Sequence, residues 1–196
     1  PPFTPITIGT IVGREVDMEY MPTRKTPMHS WHEKNNAVFV DAGAWKRPRY
    51  YKQGNEDLFE ASKREAKNVR EHVGICDVTT LGKIDIQGKD CSEFLNFVYT
   101  NAFAKLPINR ARYGLMLRED GVAYDDGTTA RLGENHFIMT TTTANAALVF
   151  RNLEFVRQCL LPNLDVHLIS TTDSWAQYSV AGPNSRRLLQ KIVDKP

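Results

Sequence analysis

Hydrophobic and polar positions change character along the chain at about residue 57. Before it, Pro, Gly and charged residues are scattered without a period, which predicts irregular structure over 1–57. From Leu58 to about Val73 the apolar or small positions Phe59, Ser62, Ala66, Val69 and Val73 recur at helical spacing with charges between them. This predicts one amphipathic helix, ended by Gly74. Next, Ile84 and Ile86 alternate with Lys83 and Asp85, the pattern of a half-buried strand. A short helix over 91–101 presents Cys91, Phe94, Leu95 and Val98 on one face. After the Pro107 loop, "RYGLMLRE", "VAYDDGTTARL" and "HFIMTTTT" read as three successive strands linked by Gly-containing turns. A helix from about Ala144 to Leu161 follows, with Ala144 and Leu148 on its buried side and Pro162 as its stop. "DVHLIST" and "AQYSVAG" read as strands and 184–193 as a last helix. Helices and strands interspersed without regular βαβ units predict an α+β domain with a largely antiparallel sheet.

One stretch of this pattern carries candidate chemistry. Glu119-Asp120-Gly121 is a hairpin-turn signal, because Asp-Gly accepts the positive φ angles of tight loops. Asp126-Gly127 has the same local chemistry, so solvated turns at both places are one reading. The segment "VAY" between them is too short to stand alone, and "TTARL" beyond is β-branched and alternating. Asp125 and Asp126 are therefore expected inside, or at the start of, a strand. Strand interiors disfavour Asp. A carboxylate there is paired, caps something, or is used.

Composition narrows the classes. The 196 residues, 41% apolar and 24% charged, suffice for a core and for one or two domains. Twenty-five basic residues against 23 acidic ones give a net charge of +2, without the field that nucleic acid would require. Cys76, Cys91 and Cys159 are far apart and odd in number, which predicts buried thiols in a reducing compartment rather than a disulfide frame or a zinc site. No apolar run approaches a bilayer span, and the N-terminus lacks signal-peptide order, so a cytoplasmic protein that uses neither membrane nor nucleic acid is expected. The opening "PPFTPITIGTIVG" and the stop at "LLQKIVDKP" suggest a piece of a larger polypeptide.

Familiar phosphate and nucleophile motifs, GxGxxG, GxxxxGKS and GxSxG, are absent. His29 and His32 in "HSWH" have a spacing that suits a metal, yet no third ligand sits at a matching offset, and no metal is expected. "WKRPRYY" at 45–51 mixes cations with rings; Arg and Lys stems packed on aromatics near a subunit interface explain it better than nucleic-acid stacking.

An ordered set of motifs goes further. "VGICDVTTLGKIDIQGKDCSEFLNFVYTNAFAKL" followed by "ARYGLMLREDGVAYDDGTTARLGENHFIMTTTT" resembles the folate-binding glycine-cleavage T-protein (aminomethyltransferase) family. That family has a G-x-x-D-x-S/T-x-x-G strand, an F-L-x-x-x-x-x-N helix, a Tyr-containing strand and a G-x-x-x-D-D hairpin in this order. Within it, "TPMHSWHEKNNAVFVDAGAWKRPRYY", "LGKIDIQGKD", "RYGLMLREDG" and "MTTTT" are similar to the C-terminal region of the alpha subunits of heterotetrameric sarcosine oxidases, from about residue 25 to the end.

The resemblance implies an aminomethyltransferase fold of antiparallel sheets with flanking helices, cut before the family's C-terminal barrel. The implied division is a linker over 1–25, the first part of the folate-binding domain over 26–77, a second folate-binding subdomain over 78–165, and over 166–196 the start of a segment returning to the first domain. Tyr113 and Asp126 match family positions that face tetrahydrofolate, with Asp126 as base and electrostatic anchor and Asp125 orienting the turn. Leu81, on the strand beside the pterin and aminobenzoyl pocket, is implied as apolar wall, an ordinary core leucine being the alternative. Thr142 replaces a family Asn, "TTL" replaces S-H-M, and further folate-contacting Glu and Arg residues belong beyond residue 196. The implied activity is oxidative demethylation of sarcosine to glycine, giving 5,10-methylenetetrahydrofolate and hydrogen peroxide. NAD, FAD and FMN are implied elsewhere in a complex with beta, gamma and delta subunits. A T-protein-like aminomethyltransferase or demethylase for another methylated donor, and a non-catalytic folate-binding assembly or regulatory module, are the alternative readings.

Overall fold

The computed structural model describes residues 4–12 and 23–194. Of the expected linker over 1–25, residues 1–3 and 13–22 lie outside them. The chain forms two compact units, one of Pro1–Ile75 with Val180–Pro196 and one of Cys76–Ser179.

The first unit is more regular than the sequence pattern predicts. It contains α1 (Ile8–Val12), β1 (Arg24–Lys25), α2 (His29–Lys34), β2 (Ala37–Ala42), β3 (Trp45–Tyr51) and α3 (Leu58–Glu71). The expectation of irregular structure over 1–57 is thus corrected. β2 and β3 form an antiparallel hairpin in which Ala37 faces Tyr51 and Ala42 faces Trp45, and β1 lies parallel to β3. The "WKRPRYY" run is that second hairpin strand. The register shifts between Val38 and Phe39, which face Tyr50 and Pro48, so that Arg49 of β3 is the extra residue, next to the proline that withdraws a ladder donor. Arg24 stacks over the Trp45 ring at 4.1 Å, and Lys46 pairs with Asp41 at 2.6 Å.

α3 begins with a capping box: Glu60 N donates to Asp57 Oδ1 at 2.9 Å, and Asp57 N to Glu60 Oε2 at 3.1 Å. It ends at Glu71, before Gly74. The expected buried face is displaced, because Phe59 is exposed and Ala61 is the buried residue of this helix. Charged contacts hold α3 to the end of β3. Glu65 Oε1 accepts from Tyr51 N at 2.8 Å, and the Arg64 guanidinium donates to Tyr51 O and to Glu56 Oε1, both at 2.6 Å. His32 Nδ1 lies 2.7 Å from the Tyr51 hydroxyl, and His29 Nε2 lies 3.3 Å from Glu33. The two histidines serve packing there, and among the described residues no group of three His, Cys, Asp or Glu side chains has metal-binding geometry. After β10 (Tyr178–Ala181), α6 (Ser185–Leu189) completes this unit. β4 (Gly74–Asp77) pairs with β10 in a two-stranded sheet, and each contains one of the points where the chain changes unit.

The second unit is built on a five-stranded sheet in the order β6-β7-β8-β5-β9, every pair antiparallel. Its strands are β5 (Gly82–Gln87), β6 (Arg110–Leu117), β7 (Ala123–Gly133), β8 (His136–Thr141) and β9 (His167–Ser170). α4 (Cys91–Val98) and α5 (Ala146–Phe155) cover one face. The core joins Phe94, Leu95 and Val98 of α4 to Ile84, Ile86, Met116, Phe137 and Met139 of the sheet and Val149 and Leu153 of α5. All four residues predicted on the buried face of α4 are buried. On α5 the prediction is one position out of phase: Leu148 is exposed and Val149 buried. α5 runs on into a π-helical turn, Val156–Leu160, before Pro162. Of the cysteines Cys91 is buried, while Cys76 and Cys159 are exposed, correcting the expectation of three buried thiols. No described helix is long and apolar enough to cross a membrane.

Candidate functional site

Alternation along β6 and β7 sends successive side chains to opposite faces of the sheet. On β6, Gly114 and Met116 are buried toward the helices, whereas Tyr113 is 64% exposed and Leu115 37% exposed on the other face. Gly114 is required by its surroundings, since a Cβ there would meet the Phe103 and Tyr99 rings at 2.9 Å. On β7 the two aspartates divide in the same way. Asp125 faces Met116 across the ladder and turns inward; Asp126 faces Leu115 and turns outward.

The Asp126-Gly127 step is therefore strand, not turn. Gly127 supplies closeness rather than unusual φ: a Cβ at this position would stand 2.0 Å from the Thr140 carbonyl oxygen of β8. The true turn is at Gly121, with φ +80°.

Asp125 is a structural clamp. It is buried, and its carboxylate accepts from Thr142 Oγ1 at 2.6 Å, Thr142 N at 3.1 Å and Asn145 Nδ2 at 3.2 Å. These bonds tie the entry of α5 to β7. The sequence-based role in orienting a turn is replaced by a contact to the segment after β8. Thr142, which stands where an Asn is expected, is a partner of this clamp.

Asp126 has a different neighbourhood. Tyr113 faces Thr128, so Asp126 is its diagonal neighbour across the ladder, within aromatic reach. The Tyr113 hydroxyl donates to Asp126 Oδ2. That hydrogen bond is the main reason the phenol titrates above its usual range, with partial desolvation and the negative charges of Asp126 and Asp125 acting in the same direction. Tyr113 is held as a neutral donor whose proton points at a carboxylate. Behind the pair, burial pushes the Tyr99 phenol well up, aided by Asp125 and Asp126.

The face continues beyond the pair. Thr128 N donates to Thr140 Oγ1 at 2.9 Å, and Thr140 faces Lys83 across the β8–β5 ladder. Tyr113, Thr128, Thr140 and Lys83 thus form one row across four strands. Lys83, expected on a solvated face, is buried and donates from Nζ to Thr79 O at 2.7 Å. No local sequence signal marks Thr128, Thr140 or Lys83; strand register alone brings them into a row on the sheet face that carries Asp126. Leu81 is half-buried in the bend that enters β5 rather than on a strand, and β8 lies between β5 and β7. The structure brings Tyr113 and Asp126 together and leaves Leu81 apart from their hydrogen bond.

A carboxylate on an exposed sheet face, hydrogen-bonded by a neutral phenol, can accept a proton or stabilise a nearby cation. Residues 28–196 match the model of the GCVT N-terminal domain. The chain is 54% identical over 196 residues, its whole length, to sarcosine oxidase subunit alpha of Rhizobium meliloti (strain 1021), and 47% identical over 192 residues to that of Corynebacterium sp. (strain P-1). It spans 20% of the length of each. The aminomethyltransferase of Thermotoga neapolitana is 32% identical over 171 residues, 87% of this chain and 44% of the relative. The crystal structure of glycine cleavage system aminomethyltransferase T from Bartonella henselae superposes with a TM-score of 0.75 at 25% identity, over 86% of this chain and 43% of that one. With an α+β fold shared with that structure and a family match over most of its length, the chain belongs to the GCVT N-terminal domain family.

Proposed function

We propose that the second unit carries the one-carbon transfer site of a sarcosine oxidase alpha subunit, with tetrahydrofolate as acceptor. The observation that supports this reading is the Tyr113–Asp126 pair, a strand-interior carboxylate held by a phenol on the sheet face that no helix of the unit covers. The surroundings fit a flat, partly polar ligand. Tyr113 offers a ring, Leu115 an apolar edge, and Thr128 and Thr140 a neutral floor beside the carboxylate. Leu81 is assigned a secondary role as apolar wall at the entry of β5.

Tetrahydrofolate, when bound, supplies the amine that takes up the one-carbon unit. Asp126 then acts through its carboxylate, accepting the proton that the amine must lose and favouring positive charge nearby. Tyr113 acts through its phenol. By donating to Oδ2 it fixes the carboxylate's orientation and leaves Oδ1 to face the ligand. Asp125 holds the α5 entry against β7 and so fixes the strand from which Asp126 projects.

For the whole protein the reading is oxidation of sarcosine to glycine, reduction of oxygen to hydrogen peroxide, and delivery of the one-carbon unit as 5,10-methylenetetrahydrofolate. Flavin chemistry and the NAD, FAD and FMN sites are assigned to other parts of a cytoplasmic complex with beta, gamma and delta subunits. The test is the fate of the one-carbon unit in Asp126→Asn. Loss of the folate product with sarcosine consumption intact supports the reading, and an unchanged product ratio refutes it.

A further inference from the structure

Around Asp126, side chains rather than backbone hold β7 to β8. The paired register of the two strands runs from Gly133 opposite His136 to Thr129 opposite Met139 and stops there, short of Asp126. Beyond that point Thr128 N donates to Thr140 Oγ1 at 2.9 Å, and the same hydroxyl donates to Thr128 O at 3.2 Å. One hydroxyl thus makes both of the bonds that facing residues of an antiparallel pair exchange through their backbones. On the other side of Asp126, the Asp125 carboxylate accepts from Thr142 N at 3.1 Å. Asp126 stands between these two side-chain bridges.

The strand that carries Tyr113 has a separate hold. β6 is an edge strand, and the Leu115 N–H donates to Asn101 Oδ1 while the Leu115 carbonyl accepts from Thr100 N, both at 3.0 Å. A shift of β7 against β8 is therefore felt between the Tyr113 phenol and the Asp126 carboxylate. Gly127 leaves little slack for such a shift, because the Thr140 carbonyl oxygen lies 2.0 Å from where a Cβ would stand. That close approach is what brings the Thr140 hydroxyl to the Thr128 backbone.

We propose that Thr140 is a positioning residue for one-carbon transfer: its hydroxyl bridge to the Thr128 backbone sets the place of the Asp126 carboxylate against the Tyr113 phenol. The inference rests on the folate reading above and deepens it, since it makes the transfer depend on a hydroxyl engaged with the backbone. A misplacement of about 1 Å at a reacting group costs about a hundredfold in rate. Thr128 is exposed, so water takes up part of the lost bonding, and removal of the bridge is expected to cost about tenfold.

The test is the ratio of 5,10-methylenetetrahydrofolate to free formaldehyde in the intact complex, supplied with sarcosine over a range of tetrahydrofolate concentrations. Thr140→Val keeps the shape and removes the hydroxyl; at saturating tetrahydrofolate it is expected to lower the ratio about tenfold, with the half-saturating concentration within about threefold of wild type. Thr140→Ser restores the bridge and is expected to recover the ratio to within about threefold. Added to Asp126→Asn, Thr140→Val is expected to cause no further fall, because it acts through that carboxylate. If Thr140→Val yields no folded complex, Thr140→Ala is read against Thr140→Ser in the same way. The proposal is overturned by an unchanged ratio without the hydroxyl, by an equal fall in Thr140→Ser, by a change confined to the half-saturating concentration, or by a further fall in the Asp126→Asn background. An unchanged ratio in Asp126→Asn alone overturns the folate reading itself, and this inference with it.

Discussion

Asp125 and Asp126 are adjacent in sequence and opposite in consequence, which stability measurements should reveal. Replacing Asp125 by Ala leaves the Thr142 N–H, the Thr142 hydroxyl and the Asn145 amide without their acceptor. Hydrogen bonds to a charged group contribute about 1.5–3 kcal/mol each, so three sum to roughly 4.5–9 kcal/mol before correction. Two corrections reduce that figure. The buried carboxylate is costly to desolvate, and Thr142 and Asn145 are only half-buried, so water reaches part of the vacated space. The expected loss is about 3 kcal/mol, or roughly 12–24 °C in melting temperature for a folding unit of about 100 residues. Asp126→Ala removes a carboxylate whose partner Tyr113 is mostly in solvent, and should leave the transition essentially unmoved. Differential scanning calorimetry of both variants makes the comparison, and Thr142→Val in the Asp125→Ala background checks the pairing through non-additivity of about 1 kcal/mol or more. A small shift for Asp125→Ala, or equal shifts for both aspartates, would refute the division of labour.

Two further expectations follow from the same strands. Burial raises the Tyr99 phenol above its ordinary 10.0, so between that value and its folded pKa the folded state holds a proton that the unfolded state releases; stability is intact below pH 10 and falls as pH rises above it, by up to about 1.4 kcal/mol per pH unit, and urea unfolding of Tyr99→Phe should lack this alkaline loss. Gly127→Ala drives a Cβ against the Thr140 carbonyl and must part β7 from β8, at about 1–3 kcal/mol in a denaturant titration together with weakened folate binding; a neutral result would show that the strands tolerate the separation.

The helices and strands of the second unit were legible because their periodicity is strong and local. α4 shows this best, with Cys91, Phe94, Leu95 and Val98 all buried as its spacing predicts. Where an element has another partner, the pattern misleads. Lys83 alternates with Ile84 as a solvated residue would, yet the 171–177 segment passes beside it: Thr172 Oγ1 accepts from its N–H, and Thr171 N donates to its carbonyl. Phe59 fits the apolar stripe of α3, but that helix is held largely through Arg64 and Glu65, leaving the ring exposed. β3 was hidden by Pro48 and its cations, because a short hairpin strand with a bulge keeps no clean alternation. At the site, Asp-Gly turn chemistry competed with strand pattern over Asp126-Gly127, and register decided for the strand. Tyr113 and Asp126 were singled out by family resemblance. The clamp around Asp125 and the hydroxyl bridge of Thr140 depend on contacts 12 to 20 residues distant in sequence, which no local pattern encodes.

Product partition in the intact complex reads the role of Asp126 in one-carbon transfer without an intermediary. With sarcosine and tetrahydrofolate supplied, wild type and Asp126→Asn are compared for sarcosine consumed, 5,10-methylenetetrahydrofolate formed and formaldehyde released. Asp126→Asn is expected to consume sarcosine at the wild-type rate while the folate product falls about a hundredfold or more and free formaldehyde rises to match. An unchanged ratio of folate product to formaldehyde would contradict that role, and would leave Asp126 as a strand residue paired to a tyrosine.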